Sequence, residues 1–561
     1  MLVAFDTEDN SRELLNAGKS GFEKEVTLIA AIAEDGCKYL QRGGDTDHFL
    51  KWCYGLGDDI TLVAHNLQYD LGNLFKNRID ELQVTLVKSR LIRASHNGLN
   101  FLDSFNHWPM ALKKVGEAFD LKKLKMDVTS EAYVMRDCEI VLEAMSFSKQ
   151  QADKYNFNLK STIGSCAVSL FHAMGLTNWN CSNLLAYQAY YGGRVELFKK
   201  KNTTSLYSYC DINSLYPYCM TLGFPTECCL IDNEDWHIAH GVMVCTINIP
   251  QQTTAPLPFR QEDGSITFPC GTIRGVWTTE EVKSAVKNNN CQVIKVEKVI
   301  GSYKLRHYYK PYVEELYSRR LACTSDAEKT FWKLYLNNLY GQLANTGIIT
   351  KSFDLDAEMD GIVYGSKLLA DYQLPPNEFV NYLHAAYVTS YARLHLLKFL
   401  NILGEKMIYC DTDSVVFEGQ PPFTCGKELG QMKLEGQGDL FEGIAPKIYR
   451  QRMKIIKGKN AGKHKTTTKA KGIRKRLANR YIVKKKVTQA RPFKFKEAVR
   501  GYQDEDKKII NANPLSVWTS QEKRLITEYK KKKLIKNSVY KPIKIGNKDK
   551  PSSSTKRKLR I

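Results

Sequence analysis

The chain has 561 residues, too many for one hydrophobic core, and its 43% hydrophobic and 25% charged content is that of a globular protein of several domains. Its 82 Lys and Arg against 60 Asp and Glu give a formal net charge of +22, which points to a polyanion such as nucleic acid rather than an acidic protein surface. No apolar run approaches the roughly eighteen residues that span a bilayer. The 15 cysteines contain no Cys-x-x-Cys pair, which argues against structural zinc, and with no signal peptide in evidence a soluble protein of a reducing, cytosol-like compartment is expected.

Acidic residues appear at once. In Val3-Ala-Phe-Asp-Thr-Glu8 the strand period of two puts Asp6 and Glu8 on one face. Leu62-Val-Ala-His-Asn-Leu-Gln-Tyr-Asp70 is a second apolar run ending in polar residues. Tyr133 and Asp137 lie one turn apart in the helical pattern of residues 130 to 146 and share a face. Asp6, Glu8, Asp70 and Asp137 would form a two-metal site, with Tyr133 placed to orient an attacking water. Taken alone, Asp137 is as well explained as a surface acid; the ordered set favours a site.

Residues 150 to 189 read as a helical connection, followed by Tyr190-Tyr-Gly-Gly193. Adjacent glycines let backbone approach a phosphate closely and Arg194 adds charge, although a bland turn would contain the same letters. The apolar run Leu206 to Cys210 delivers Asp211 to a strand end, where Pro217 stops any ladder. A strand-rich interval follows, then Trp277-Thr-Thr-Glu-Glu281, in which Thr278 and Glu281 form a capping box that opens a helix.

Ser325 is an N-cap for the next helix, with Asp326 and Glu328 in its first turn. Lys329, Lys333, Asn337 and Tyr340 then recur at spacings of four, four and three as a single stripe. A solvated basic face explains the lysines but not Asn337 and Tyr340 beside Gly341. A further helix from His384 leads to Met407-Ile-Tyr-Cys-Asp-Thr-Asp-Ser-Val-Val-Phe417, a tight hairpin that carries Asp411 and Asp413 where the chain reverses. Asp211 and Asp413, both at strand ends, would clamp two Mg²⁺, a hard cation that keeps few protein ligands so that substrate phosphates complete its shell. Lys447-Ile-Tyr449 alternates as a strand would, placing Lys447 and Tyr449 on one face. Lysines crowd from residue 484 onward, and residues 546 to 561 read as a disordered, DNA-attracting tail.

Together these motifs resemble a family B DNA polymerase with an N-terminal proofreading exonuclease, and most closely its protein-primed branch of small phages, linear plasmids and related viruses. Asp6-Thr-Glu8, Asn66-Leu-Gln-Tyr-Asp70 and Tyr133-x-x-x-Asp137 match the three exonuclease motifs. Asp211-Ile-Asn-Ser-Leu-Tyr-Pro217 matches the first polymerase motif, and Lys333-x-x-x-Asn337-Asn-Leu-Tyr340-Gly341 the fingers motif, with Asn338 where serine is usual. Tyr190-Tyr-Gly-Gly193 resembles the Tyr-x-Gly-Gly motif, and Lys447-Ile-Tyr449 and Lys471-Gly472 resemble the primer-terminus element and a basic loop.

The resemblance implies α/β and α+β domains: an RNase H-like exonuclease (1–150), a linker (151–205), then a right-hand polymerase. The polymerase would comprise a palm with a first protein-priming-type insertion (206–324), a fingers helix (325–347), a second insertion-like segment (348–383), fingers and palm with the catalytic hairpin and primer grip (384–472), a thumb (473–535) and a basic tail (536–561). It implies Asp211 and Asp413 as metal ligands with Asp411 a weaker neighbour, and Asp6, Glu8, Asp70 and Asp137 as ligands of the exonuclease, assisted by Tyr133 and Lys125. Ser214, Leu215 and Tyr216 would meet the incoming nucleotide, the backbone amides of residues 212 to 215 its triphosphate and the Tyr216 ring its sugar. Lys329, Lys333, Asn337 and Tyr340 would join them. Asn66, Tyr69 and Ser104 would hold the frayed strand, with Phe105 where leucine is usual; Tyr190, Gly192, Gly193, Arg194, Gly341, Lys447, Tyr449 and Lys471 would touch DNA. Two Mg²⁺ per site, replaceable by Mn²⁺, primer-template DNA and dNTPs follow, with a terminal protein and a single-stranded-DNA-binding protein as further partners of a monomer in the host cytoplasm. The rivals are a DNA-binding scaffold with dead sites and a nuclease whose polymerase half only grips DNA. Priming from a protein hydroxyl, a DNA primer or none stays open.

Overall fold

The computed structural model describes residues 1–10, 25–75, 78, 81–87, 90–125, 127, 129–353, 368–374, 377–455, 461–492, 518–525, 531–535 and 539–545. It divides into two units, the first made of residues 1–176, 315–377 and 488–521 and the second of the rest.

The first unit is built on a mixed nine-stranded sheet. Leu2–Asp9 runs parallel to Thr61–Ala64, which runs parallel to Leu99–Asp103; on the other side Val26–Ala33 and Lys38–Arg42 continue as an antiparallel meander. The apolar runs that suggested strands are buried, with Phe5, Phe49, Phe75 and Phe101 in one core. Glu131–Lys154 packs across the first two strands, and Ser130 caps it by accepting the Tyr133 amide. This is the layered core expected of an RNase H-like domain. Beyond Leu99–Asp103 the sheet extends through Arg90–His96 and Gln83–Val87 to the hairpin Ile348–Phe353 and Leu368–Gln373. The segment expected as a second insertion thus adds two edge strands to the first unit; residues 354–367 between them lie outside the described residues.

Asp326–Asn338 also belongs to the first unit. Its buried face, Phe331, Trp332, Tyr335 and Leu336, packs on aromatic rings of neighbouring helices, with Phe331 5.7 Å from Phe147 and Tyr335 5.6 Å from Phe157. That leaves Lys333 and Asn337 exposed on the opposite face, as the stripe required.

The second unit holds a seven-stranded antiparallel sheet in the order His464–Ala470, Ile448–Lys454, Met432–Ala445, Tyr207–Ile212, Ser414–Glu418, Met407–Asp411 and Val195–Leu197. The last of these lies in the expected linker, so the sheet begins earlier than the boundary at 206. The interval 221–324 supplies four strands of a five-stranded sheet, and Thr278 caps the helix Thr279–Lys287 as the capping box predicted. Glu281 does not complete that box at the backbone. Its carboxylate takes both ends of the Arg393 guanidinium at 2.7 and 2.8 Å, and Arg393 also donates to the carbonyls of Tyr191 and Gly192.

The C-terminal expectations need correction. The helix Lys475–Lys484 fits a thumb, but Lys532–Leu534 pairs with Tyr540–Pro542, and Lys544–Ile545 adds a parallel strand to Cys270–Thr278. Residues 539–545 are therefore part of the second unit and not a disordered tail; the register with Cys270 and Gly271 gives their backbone groups partners that a free tail lacks. Lys530 and residues 546–561 lie outside the described residues.

Arg393 and Glu281 are each no more than 2% exposed. Removing one buried charge strands the other, so Glu281→Gln is expected to cost about 3–5 kcal/mol. Denaturant unfolding, followed through the transition of the second unit, measures it.

Candidate active sites

In the first unit, Asp6 and Glu8 stand on one face of Leu2–Asp9, and Asp137 meets them from Glu131–Lys154: ligand atoms of the three lie within 4.8 Å of one another. Asp70 is beside them, 1% exposed and oriented by Thr7, whose amide and hydroxyl donate to Asp70 Oδ1 at 3.1 and 2.8 Å. Asn73 in turn donates to Thr7 Oγ1 at 2.7 Å. Burial first, then the charges of Asp70 and Glu8, push the Asp6 carboxyl well above the usual carboxylate range. Asp6 Oδ2 and Asp137 Oδ1 are buried without a hydrogen-bond partner. Oxygens left bare in a cluster of like charge are what a divalent cation satisfies.

The lysine at this centre is Lys123 and not Lys125. Lys123 Nζ pairs with Asp137 Oδ2 and lies 4.5 Å from the centroid of the Tyr133 ring. Lys125 is exposed. Asn66 is exposed in a left-handed turn (φ +72°) whose amide donates to Asp103 Oδ1 at 2.8 Å, and the Tyr69 hydroxyl bonds to Asp9. Ser104 is 2% exposed and donates to the Ala64 carbonyl, so its hydroxyl is turned inward; Phe105, half-buried against Arg90, is the more accessible neighbour.

The centre of the second unit lies where three strands end. Asp211 pairs in register with Ser414, directly beside the turn Asp411-Thr412-Asp413. Thr412 adopts φ +62°, the Asp413 carbonyl accepts the Ile212 amide at 2.7 Å, and the Arg194 carbonyl accepts the Thr412 amide at 2.7 Å. Burial, then the charges of Asp413 and Glu435, push the Asp211 carboxyl up to about 7. Burial also raises Asp413. Asp211 Oδ1 is buried without a hydrogen-bond partner, so this pair also fits a divalent cation. Asp411 differs, because Lys447 Nζ neutralises it at 2.7 and 2.9 Å and the Tyr409 hydroxyl donates to it.

Several expected contacts are placed differently. Lys447 sits in a turn at φ +63°, and the strand begins at Ile448; Lys447 and Tyr449 therefore do not share a strand face, and Tyr449 is 6% exposed among Tyr409 and Phe441. Arg194 is 1% exposed, bonded to Glu196 at 2.6 Å and to the Ala255 carbonyl and stacked on Phe268, so it has no reach to a phosphate. A Cβ on Gly193 would come within 2.6 Å of Thr412, which makes this glycine a packing requirement of the hairpin; Gly192 is exposed. Tyr190 is half-buried, its carbonyl accepting from Arg260. The amides of Ile212 and Asn213 are spent on Asp413 and Gln431, which leaves Ser214 and Leu215 for a triphosphate. Ser214 is left-handed at φ +48°, Leu215 is buried and Tyr216 half-buried on Leu215–Met220. Lys329 bonds to the Thr324 carbonyl, while Gly341 and Lys471 are exposed.

The fold and these two acidic centres fit a class, enzymes of phosphoryl chemistry, with one cluster of carboxylates in each unit. Comparison with known proteins narrows it. The family model described as DNA polymerase type B, organellar and viral, matches residues 121–372. The DNA-directed DNA polymerase of Enterobacteria phage PRD1 is 22% identical over 444 residues, 72% of this chain and 75% of that one. The DNA polymerase of Bacillus phage phi29 is 25% identical over 451 residues, 69% of this chain and 75% of that one. Among solved structures, phi29 DNA polymerase complexed with primer-template DNA and incoming nucleotides aligns with a TM-score of 0.68 at 17% identity, covering 93% of this chain and 99% of that one. The resemblance read from the motifs is borne out: the chain is similar to organellar and viral type B DNA polymerases, those of phages PRD1 and phi29 among them, and it has the fold of phi29 DNA polymerase.

The raised Asp211 has a consequence for stability. An aspartate with a folded pKa of about 7, above its unfolded value near 4, favours folding most at low pH and loses that contribution as pH rises through 7. Asp211→Asn is expected to melt a few degrees above wild type at pH 8 in EDTA, with the difference closing toward pH 5 and on adding Mg²⁺. Thermal scans at both pH values check it.

Proposed function

We propose that this polymerase extends a primer strand on a DNA template at the Asp211–Asp413 centre and removes mispaired 3′ ends by hydrolysis at the Asp6–Glu8–Asp70–Asp137 centre. The observation that carries the proposal is that each centre gathers buried or half-buried carboxylates with a bare, buried oxygen, in separate units, so the two reactions have separate acid sets.

Asp211 and Asp413 would hold Mg²⁺, or Mn²⁺ in its place, with Asp411 kept for Lys447. When bound, the ions lower the pKa of the primer 3′-hydroxyl and offset charge on the phosphates. The residues do the placing. By the likeness of their stripe to the family's fingers motif, Lys329 and Lys333 would balance the charge of the triphosphate and of the departing pyrophosphate, and Asn337 and Tyr340 would serve base and sugar. The Tyr216 ring lies under the sugar, where it leaves no room for a 2′-hydroxyl. Lys447 steadies the primer terminus, Gly341, Gly192 and Lys471 present backbone and charge to DNA, and Tyr190 serves through its backbone turn.

In the hydrolytic centre Tyr133 orients the attacking water and Lys123, in place of Lys125, offsets charge on the scissile phosphate. Asn66, Tyr69 and Phe105 receive the unpaired strand. A nuclease-only protein would give Tyr216, Lys333 and Tyr340 no work, and a dead scaffold would leave two sets of buried acids at a cost with no return.

Primer-template DNA and dNTPs are the substrates, as for the phi29 polymerase crystallised with both. A terminal protein that supplies the priming hydroxyl, a single-stranded-DNA-binding protein, strand displacement and action as a monomer in a host cytoplasm complete the proposal.

The test is extension of a primed single-stranded circle with dNTPs and Mg²⁺, alongside degradation of a single-stranded oligonucleotide. Asp413→Ala is expected to lose synthesis by more than about a thousandfold and keep degradation, and Asp6→Ala the reverse. Wild-type products longer than the circle are expected from strand displacement. Loss of both activities in either variant would refute separate centres. Lys123→Ala is expected to slow degradation roughly ten- to a hundredfold, with Lys125→Ala near wild type.

A further inference from the structure

The C-terminal segment returns beneath the catalytic hairpin. The Tyr540 amide donates to the Phe198 carbonyl at 2.8 Å, and the Tyr540 ring, 4% exposed, shares a core with Leu197, Tyr409 and Tyr449. Thr267 Oγ1 bonds to the Lys531 carbonyl at 2.9 Å. Next to it Lys532, its side chain 0% exposed, brings Nζ to 3.2 Å from Glu196 Oε1 and to 3.5 Å from the centroid of Phe198. Glu196 Oε2 is taken by Arg194 Nε at 2.6 Å.

The buried charges do not balance, since one carboxylate faces two cations. Glu196 would be neutralised by Arg194 alone, and burying a further ammonium is costly where an apolar side chain of similar length would pack for nothing. Stability therefore does not account for Lys532. Its neighbours offer another account. Glu196 lies opposite Cys410 in the pairing of Val195–Leu197 with Met407–Asp411, and the Arg194 carbonyl holds the Thr412 amide at 2.7 Å. Thr412 is the left-handed residue between Asp411 and Asp413. A continuous path thus runs from Lys532 through Glu196 and Arg194 to the turn that aims Asp413 at Asp211.

We propose that Lys532 is a positioning residue of the polymerase centre, which fixes the Thr412 turn from behind through Glu196 and Arg194. The inference rests on the polymerase reading of Asp211 and Asp413. It assigns residues 531–535 and 539–545 to the machinery of synthesis, although they follow every motif that touches substrate.

The test uses the full chain with Lys532→Met. Incorporation is expected to fall roughly tenfold or more in kcat, with KM for dNTP changed by less than about twofold. The Mg²⁺ concentration for half-maximal rate should rise, while degradation of a single-stranded oligonucleotide and the melting temperature hold or improve. Unchanged kcat and Mg²⁺ dependence, with degradation intact, would overturn the proposal. Should Lys532→Met melt early, Lys532→Arg decides: synthesis recovered with the charge upholds the positioning role, and an Arg variant no faster than the Met variant overturns it. A wild-type protein that makes no DNA would instead count against the polymerase reading itself.

Discussion

Buried like charge, held together by strand register, is the constraint on which both centres depend. Asp211 and Asp413 cannot move apart, because Asp211 pairs with Ser414 and the Asp413 carbonyl is bonded to the Ile212 amide. The apolar strands that deliver them leave both only half-exposed, so repulsion that solvent would screen in part persists. The first unit repeats the device with Asp6 and Glu8 on one strand face and Asp137 brought in by a helix. Where the protein supplies its own cation it does so selectively, with Lys447 on Asp411 and Lys123 on Asp137. Asp137 keeps its other oxygen bare, as Asp6 and Asp211 each keep one, and these bare carboxylate oxygens are what fit a metal.

The surrounding structure keeps that constraint rigid. Gly193 lets the segment leading into Val195–Leu197 approach Thr412, and the carbonyls of Tyr191 and Gly192 are tied to Arg393, which Glu281 fixes in turn. Two glycines that suggested contact with phosphate therefore differ, one being spent inside the protein. In the first unit Thr7, between Asp6 and Glu8, orients Asp70 and is itself oriented by Asn73. Asp70 thus has a dedicated neighbour that limits its freedom, as a preorganised site requires.

Much of this was legible in the sequence because it depends on local rules. Strand ends predict where acids emerge, helix spacing predicts that Tyr133 and Asp137 share a face, and Ser325 and Thr278 announce the helices that they cap. The exposure of Lys333 and Asn337 on one helix face was legible for the same reason. What was not legible depends on partners far along the chain. Lys123 and Lys125 are two residues apart in an irregular stretch, and only packing against Asp137 chooses between them. Arg194 looked like a phosphate ligand until Glu196, Ala255 and Phe268 closed around it. Tyr449 was expected to share a strand face with Lys447 and touch DNA, but Tyr409 and Phe441 cover it, and the lysine-rich C-terminus gave no periodicity to betray its strands.

The central claim is that two independent sets of acids collect divalent cations. Titration of the full-length protein with Mn²⁺ at pH 7.5, read by electron paramagnetic resonance, tests it without reference to activity. The account predicts two classes of site, with Asp211→Asn removing one and Asp6→Asn the other. A single class that both substitutions abolish, or binding that neither alters, would contradict it.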